Sequence, residues 1–231
     1  MYTPDLDDNA ALPPPPRKGD HLFRGDLPDW SNNACLNVGH DGDPVAYTEG
    51  YRRGARLLVE HVMEHQRNQD YLVYPIIFLY RHHIELALKN LILHAPYLID
   101  RSLTKPEKEH LGKHRLDLLW QDLKPMLSAI VKAAGWDELD AADIEGVDDY
   151  IRQLSELDPD SFSFRYTRSK KGAPSLPAEL KLINLRHFAE MLERLANFLD
   201  GLNIGLSVLK DGKAEMEVEW RNEMAHYMGY A

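Results

Sequence analysis

From Pro44 onward the apolar residues recur at helical intervals; before it they do not. In AYTEGYRRGARLLVEHVMEHQ, Tyr47, Tyr51, Ala55, Leu58, Val59 and Val62 fall on one face, the rhythm of an amphipathic helix. The next segment, LVYPIIFLYRHHIELALKNLILHA, predicts a helix capped by Asp70, with Pro75 in its early part. Ile76, Ile77, Tyr80, Ile84, Leu88, Leu91 and Ile92 make it apolar on more than one side. A helix with so wide an apolar surface is flanked by neighbours, so it is the expected hub of the fold.

HRLDLLWQDLKPMLSAIVKAAG predicts a further helix, kinked or restarted at Pro125 and ending near Gly135. DELDAADIEGVDDYIRQLSELD predicts an acidic helix over its second half. INLRHFAEMLERLANFLDGLNIGLSVL is a long amphipathic segment carrying Ile183, Phe188, Leu192, Leu195 and Leu199, and EMEVEWRNEMAHYMGY predicts a last short helix. Only around Phe162 and Phe164, which alternate with small polar residues, is the pattern strand-like, and one short strand does not make a sheet. No internal repeat is visible. The predicted class is all-α, a bundle of about five or six helices with one long irregular crossover.

Residues 1–42 stand apart. They hold PPPP at 13–16, then KGD, RGDLPDW and DGDP, and predict an extended proline-rich arm, locally polyproline II. Such an arm either lies on the body through Leu22, Phe23 and Trp30 or remains a loose tail. The expected organisation is thus an arm at 1–42, a bundle at 43–210 and a tail helix at 211–231.

Composition narrows the function classes. The chain has 231 residues, 44% hydrophobic and 28% charged, with a formal charge of −10. That charge argues against broad, sequence-independent nucleic-acid binding, which needs a basic face to displace counterions; a small basic site on an acidic body remains open. The single cysteine, Cys35, permits no intramolecular disulfide, which suits a reducing cytoplasm. The longest apolar run, YLVYPIIFLY, is too short to span a bilayer. The expectation is a cytoplasmic protein with no membrane partner.

Four patterns are candidates for chemistry. Arg81, Glu85 and Lys89 are spaced i, i+4, i+8, a charged line down an otherwise apolar helix. Exposed, they are weak surface pairs; buried, each charge needs a partner, and the line becomes a polar spine or a ligand site. HVMEH, with His61, Glu64 and His65, spells the inverted zinc-peptidase motif. No third ligand follows and a chain with eleven histidines produces such spacings by chance, so no metal or other cofactor is expected. FSFRYTRSKKG gathers Arg165, Arg168, Lys170 and Lys171 with Phe162, Phe164 and Tyr166 and no acid. It is the one local basic patch, suited to phosphate or an RNA backbone, or it is a solvated loop. Finally, WRNEMAHY places Arg221, Asn222 and His226 near the end of the chain.

The hub helix, KHRLDLLW (113–120), FSFRY (162–166) and INLRHFAEMLERLANFLDGL together resemble a group of bacterial proteins that looks like a divergent branch of the HEPN superfamily of α-helical bundles. The likeness spans roughly residues 70–202; Thr167 stands where that group has a proline. In active members an arginine, often followed by asparagine or histidine, precedes a histidine by a few residues. Arg221, Asn222 and His226 match that spelling. The resemblance implies a metal-independent endoribonuclease, homodimeric, with RNA or a nucleotide as ligand. A histidine titrating near neutrality can exchange the proton of a ribose hydroxyl, and an arginine can hold the phosphate. The alternative is a non-catalytic interaction subunit, as in toxin–antitoxin or phage-defence systems, binding a protein partner through its arm, with the tail helix docked on the bundle or on a second copy through Val218, Met224 and Tyr227.

Overall fold

The computed structural model describes residues 15–20, 22–25, 29–36, 44–169 and 171–228. They divide into two units, 1–43 and 44–231. In the first, a 3₁₀ turn at Trp30–Asn32 is tied by Asn32 Nδ2 to Asp29 Oδ2 at 3.0 Å, and Asn33 Nδ2 reaches Gly25 O at 3.0 Å. Leu22, Phe23 and Trp30 are exposed. The rest of the predicted arm, including the first two residues of the proline run, lies outside the described residues.

The second unit is helical: α1 (Pro44–His65), α2 (Gln69–Leu98), α3 (Lys105–Leu111), α4 (Leu116–Ala134), α5 (Ala141–Leu157) and α6 (Leu185–Met228). No strand occurs among the described residues; FSFRY instead winds into tight turns, with Arg165 N and Tyr166 N both donating to Phe162 O. No described helix is long and apolar enough to cross a membrane.

α2 is central and packs against α1, α4 and α6. Ile76, Ile84, Leu88 and Ile92 have no exposed surface. Its N-cap is Asn68, in the left-handed region at φ 63°, and Asp70 sits inside the first turn rather than at the cap. Asparagine tolerates that conformation better than most side chains.

Two other expectations shift. α4 runs unbroken through Pro125. Proline removes a hydrogen bond to the carbonyl four residues earlier, on Gln121; Gln121 and Pro125 both lie on the exposed side, where water can satisfy that oxygen. α3, which the apolar pattern leaves unmarked, is set by a capping box between Thr104 and Glu107.

The two predicted C-terminal helices are one, 44 residues long, or about 66 Å. The cause is an unbroken heptad: Leu185, Phe188, Leu192, Leu195, Leu199, Leu202, Leu206, Leu209, Lys213, Met216, Trp220, Glu223 and Tyr227 alternate at spacings of three and four. As far as Leu209 this seam packs in the core, and Lys213 closes it by donating to Tyr97 O at 2.8 Å and pairing with Asp100. Beyond that the same stripe is bare: Met216, Trp220 and Tyr227 are 63%, 61% and 74% exposed.

A polar clamp ties α1, α2 and α6 together. Arg52, 4% exposed, donates to Glu193 Oε2 at 2.6 Å, Asp200 Oδ2 at 2.5 Å and Asn197 Oδ1 at 2.5 Å. Arg56 and the Tyr80 hydroxyl also donate to Glu193. Burial alone would raise the Glu193 carboxyl, but hydrogen bonds from Arg56 and Arg52 outweigh it and hold it at about 2.

His83 is fully buried on the adjoining side of α2, with Nδ1 on Thr48 O at 2.9 Å and Nε2 without a partner. Burial pushes this imidazole below its ordinary value, only partly offset by the Thr48 carbonyl. Neutral His83 therefore supports the fold fully above about pH 6.5, and that support erodes as pH falls below it.

Glu193→Ala removes the carboxylate that Arg52, Arg56 and Tyr80 share, leaving Arg52 with Asp200 alone as its counter-ion, and is expected to cost roughly 1–3 kcal/mol in denaturant unfolding. In the same assay, stability should decline from pH 7.5 to 5.5 with a slope that His83→Phe removes; an equal slope in the variant contradicts a neutral buried imidazole.

Candidate functional site

The charged line on α2 faces inward. Arg81 has no exposed surface and Glu85 1%. Helical spacing puts them together, and Arg81 NH1 donates to Glu85 Oε2 at 3.3 Å while Lys89 Nζ donates to Oε1 at 2.9 Å. What completes the cluster comes from two distant segments.

The first is the loop between α3 and α4. Its His114 contributes a backbone carbonyl that accepts from Arg81 NH2 at 2.6 Å and an imidazole whose Nδ1 lies 2.9 Å from Glu85 Oε1. The second is the chain leaving α5. Arg81 Nε donates to Asp158 O at 3.1 Å and pairs with Asp158 Oδ2 at 3.3 Å, and NH2 reaches Pro159 O at 3.2 Å. The other Asp158 oxygen accepts the backbone N–H groups of Phe162 and Ser163 at 2.6 and 2.8 Å. Asp158, itself 3% exposed, thus both neutralises Arg81 and shapes the FSFRY turn. Ser161 in that turn is held at φ 56°, a strained conformation for a residue with a Cβ.

Ionisation follows from these contacts. Burial pushes the Glu85 carboxyl up, but donors from His82, Lys89 and His114 and the Lys89 charge win and bring it to about 2. Burial pushes the Arg81 guanidinium down, with Asp158 and Glu85 opposing; guanidinium is basic enough to stay charged. Because Glu85 is an anion, the His114 nitrogen that meets it, Nδ1, is the donor of that hydrogen bond.

Above the cluster lies a cleft of about 560 Å³ lined by His114, Asp158, Asp160, Phe162, Ser163, Arg165, Ser169, Lys171 and Ser175. The Asp158 oxygens are already committed, leaving Asp160 as the one acid there able to oppose Arg165 and Lys171. Arg165 is held on three sides: its Nε donates to Ser161 O at 2.5 Å, and its guanidinium lies 5.3 Å from the Phe78 ring centre and 5.7 Å from that of Tyr166. Phe78 stacks in turn on His82. Phe162 and Tyr166 stack on each other at 4.4 Å, and Tyr166 is 53% exposed. The Ser175 hydroxyl is buried without a partner.

The basic residues of the predicted patch divide. Arg165 and Lys171 line the cleft. Arg168 is spent on the turn, donating to Gly172 O at 2.8 Å beside a bridge between Arg168 and Pro174. Lys170 lies outside the described residues.

Arg221, Asn222 and His226 sit elsewhere, on the exposed distal part of α6. Arg221 Nε donates to Glu217 O at 3.1 Å. At 100° per residue, Arg221 lies about 120°, His226 about 100° and Asn222 about 140° from the centre of the Met216, Trp220 and Tyr227 stripe. A helix pairing through that stripe turns Arg221 and Asn222 away from its partner, while His226 flanks the seam. His61 and His65 stack ring on ring at 4.4 Å; among the described residues no three His, Cys, Asp or Glu side chains gather as metal ligands.

His114 and Asp158 are the cluster members that local spacing does not single out. KHRLDLLW holds the first inside a helix-like pattern, whereas the structure places it in the loop before α4. The chain matches no family model, and no curated protein and no solved structure matches it significantly.

Since Glu85 titrates at about 2 in the folded chain against about 4.3 unfolded, its contribution is complete above pH 4.3 and lost as pH falls toward 2. Glu85→Gln should flatten acid unfolding across that window. Arg81→Met leaves two buried carboxylates short of a cation and should cost roughly 3–5 kcal/mol; a loss below 1 kcal/mol contradicts the cluster.

Proposed function

We propose that this chain is a cytoplasmic, RNA- or nucleotide-binding helical bundle of the HEPN-like kind. Its phosphate contacts would be made by Arg165 and Lys171 in the cleft between the α3–α4 loop and the FSFRY segment. The observation that carries this is the cleft itself, lined by two cations, Phe162 with Tyr166 stacked on it, serines and a histidine. Cations track a phosphate backbone, and aromatic faces accept bases without reading sequence. On a chain of net charge −10 such a site selects a short stretch of backbone rather than a broad polyanion. The reaction suited to it is metal-independent cleavage of a phosphodiester.

Arg165→Ala and Lys171→Ala should each weaken binding of a short single-stranded RNA and each reduce the slope of log K against log salt by about 0.7. Unchanged affinity and slope in both variants would refute this reading.

The second reading, an interaction subunit, is favoured by one feature: the bare continuation of the α6 seam. Met216, Trp220, Met224 and Tyr227 form a stripe that α6 shares with its own core-packing face. In an antiparallel pair of α6 helices centred between Arg221 and Asn222, Met216 faces Tyr227, and Trp220 meets Glu223 and Met224, the core-layer match of a coiled coil. A second copy is thus the occupant this stripe suits. Sedimentation of Trp220→Glu should show a shift to monomer relative to the unaltered chain; a monomer at all concentrations in both removes this pairing.

A further inference from the structure

We propose that His114, oriented by Glu85, is the proton-transfer residue of the cleft; the proposal rests on the RNA-binding reading above. The argument starts from the buried carboxylate. Glu85 is 1% exposed and accepts from His114 Nδ1 at 2.9 Å, so it fixes which ring nitrogen bears hydrogen and how the ring is turned. The imidazole itself is about half exposed, at 53%, and lines the cleft. A buried acid behind a half-exposed histidine at the edge of a cleft is the arrangement used for general acid–base transfer. A structural histidine needs no such access; His83, sealed in the core of the same helix, shows the contrast.

The surroundings suit a phosphodiester. His114 shares Glu85 Oε1 with Lys89, and His82 lies 3.9 Å from the other oxygen. Arg165 and Lys171 line the same cleft as His114, together with Asp158 and Asp160. Arg81 consumes Asp158, so the cations dominate what a bound phosphate meets.

The step balances with the chain's own groups. His114 Nε2 takes the proton of a ribose 2′-hydroxyl, and the 2′-oxygen forms a bond to the adjacent phosphorus. The bond from phosphorus to the 5′-oxygen breaks and its electron pair leaves with that oxygen. The imidazolium returns its proton to it. The products are a 2′,3′-cyclic phosphate and a 5′-hydroxyl, with no external oxidant, reductant or metal. Arg165 and Lys171 offset charge on the phosphorus oxygens as it builds.

The test is cleavage of a short, end-labelled single-stranded RNA in EDTA by the full chain, by His114→Asn, and by Arg221→Ala/His226→Ala. Asparagine keeps an N–H donor for Glu85 but cannot shuttle a proton. His114→Asn should bind the RNA as tightly as the unaltered chain and cut it at least about 100-fold more slowly. The tail double variant should cut at close to the unaltered rate. The unaltered rate should carry a pH-dependent limb that is missing from the residual activity of His114→Asn. His114→Gln, expected to behave alike, serves if asparagine compromises folding. Full-rate cleavage by either His114 variant, or loss of cleavage in the tail variant alone, overturns the assignment. RNA binding without any cleavage overturns it while leaving the binding reading intact; no RNA binding removes both.

Discussion

The second unit depends on one carboxylate. Glu85 is buried in the central helix, where an ion is costly unless it is fully paired. Its two oxygens collect Arg81 and Lys89 from its own helix and His114 from the α3–α4 loop. Arg81 then needs more acceptors than Glu85 supplies, and it takes them from His114, Asp158 and Pro159. One ion on α2 thereby fixes the loop before α4 and the exit from α5. Apolar packing holds the helices together, but it does not dictate where those two irregular segments sit. The charge cluster does.

A buried ion cluster is weak evidence for stability in itself, since apolar residues of similar volume often serve as well. Its distinctive consequence is geometric. By fixing the α3–α4 loop beside the turn after α5, it makes the cleft, brings His114 to its lining and sets Arg165 against Phe78 and Tyr166. The left-handed Ser161 is part of the same construction. The distal α6 is built on another logic: its heptad continues past the body, with Arg221 and Asn222 turned off the seam and His226 at its flank.

The helical class, the central role of α2 and the Arg81–Glu85–Lys89 line are readable in the sequence because each rests on spacing within one helix. The remaining members of the cluster are not, because their contacts span 29 residues for His114 to Glu85 and 77 for Arg81 to Asp158. Local periodicity carries no information on such pairings. The alternation around Phe162 and Phe164 misleads for a related reason: Asp158 receives the backbone donors at 162 and 163 that a strand would offer to a neighbour. In α6 the break expected near residue 210 is absent because the seam, seen as three-four spacing, runs straight through it. The basic patch was legible as composition; that Arg168 serves the turn and Arg165 the cleft follows only from the fold.

The most direct test of the central claim is to watch the imidazoles themselves. In a ¹⁵N-histidine-labelled sample, titration with a short, non-cleavable 2′-deoxy oligonucleotide should shift the Nε2 resonance of His114 while its Nδ1 remains protonated against Glu85. The His226 signals should hold still. A shift confined to His226, with His114 unmoved at saturating ligand, would contradict the account.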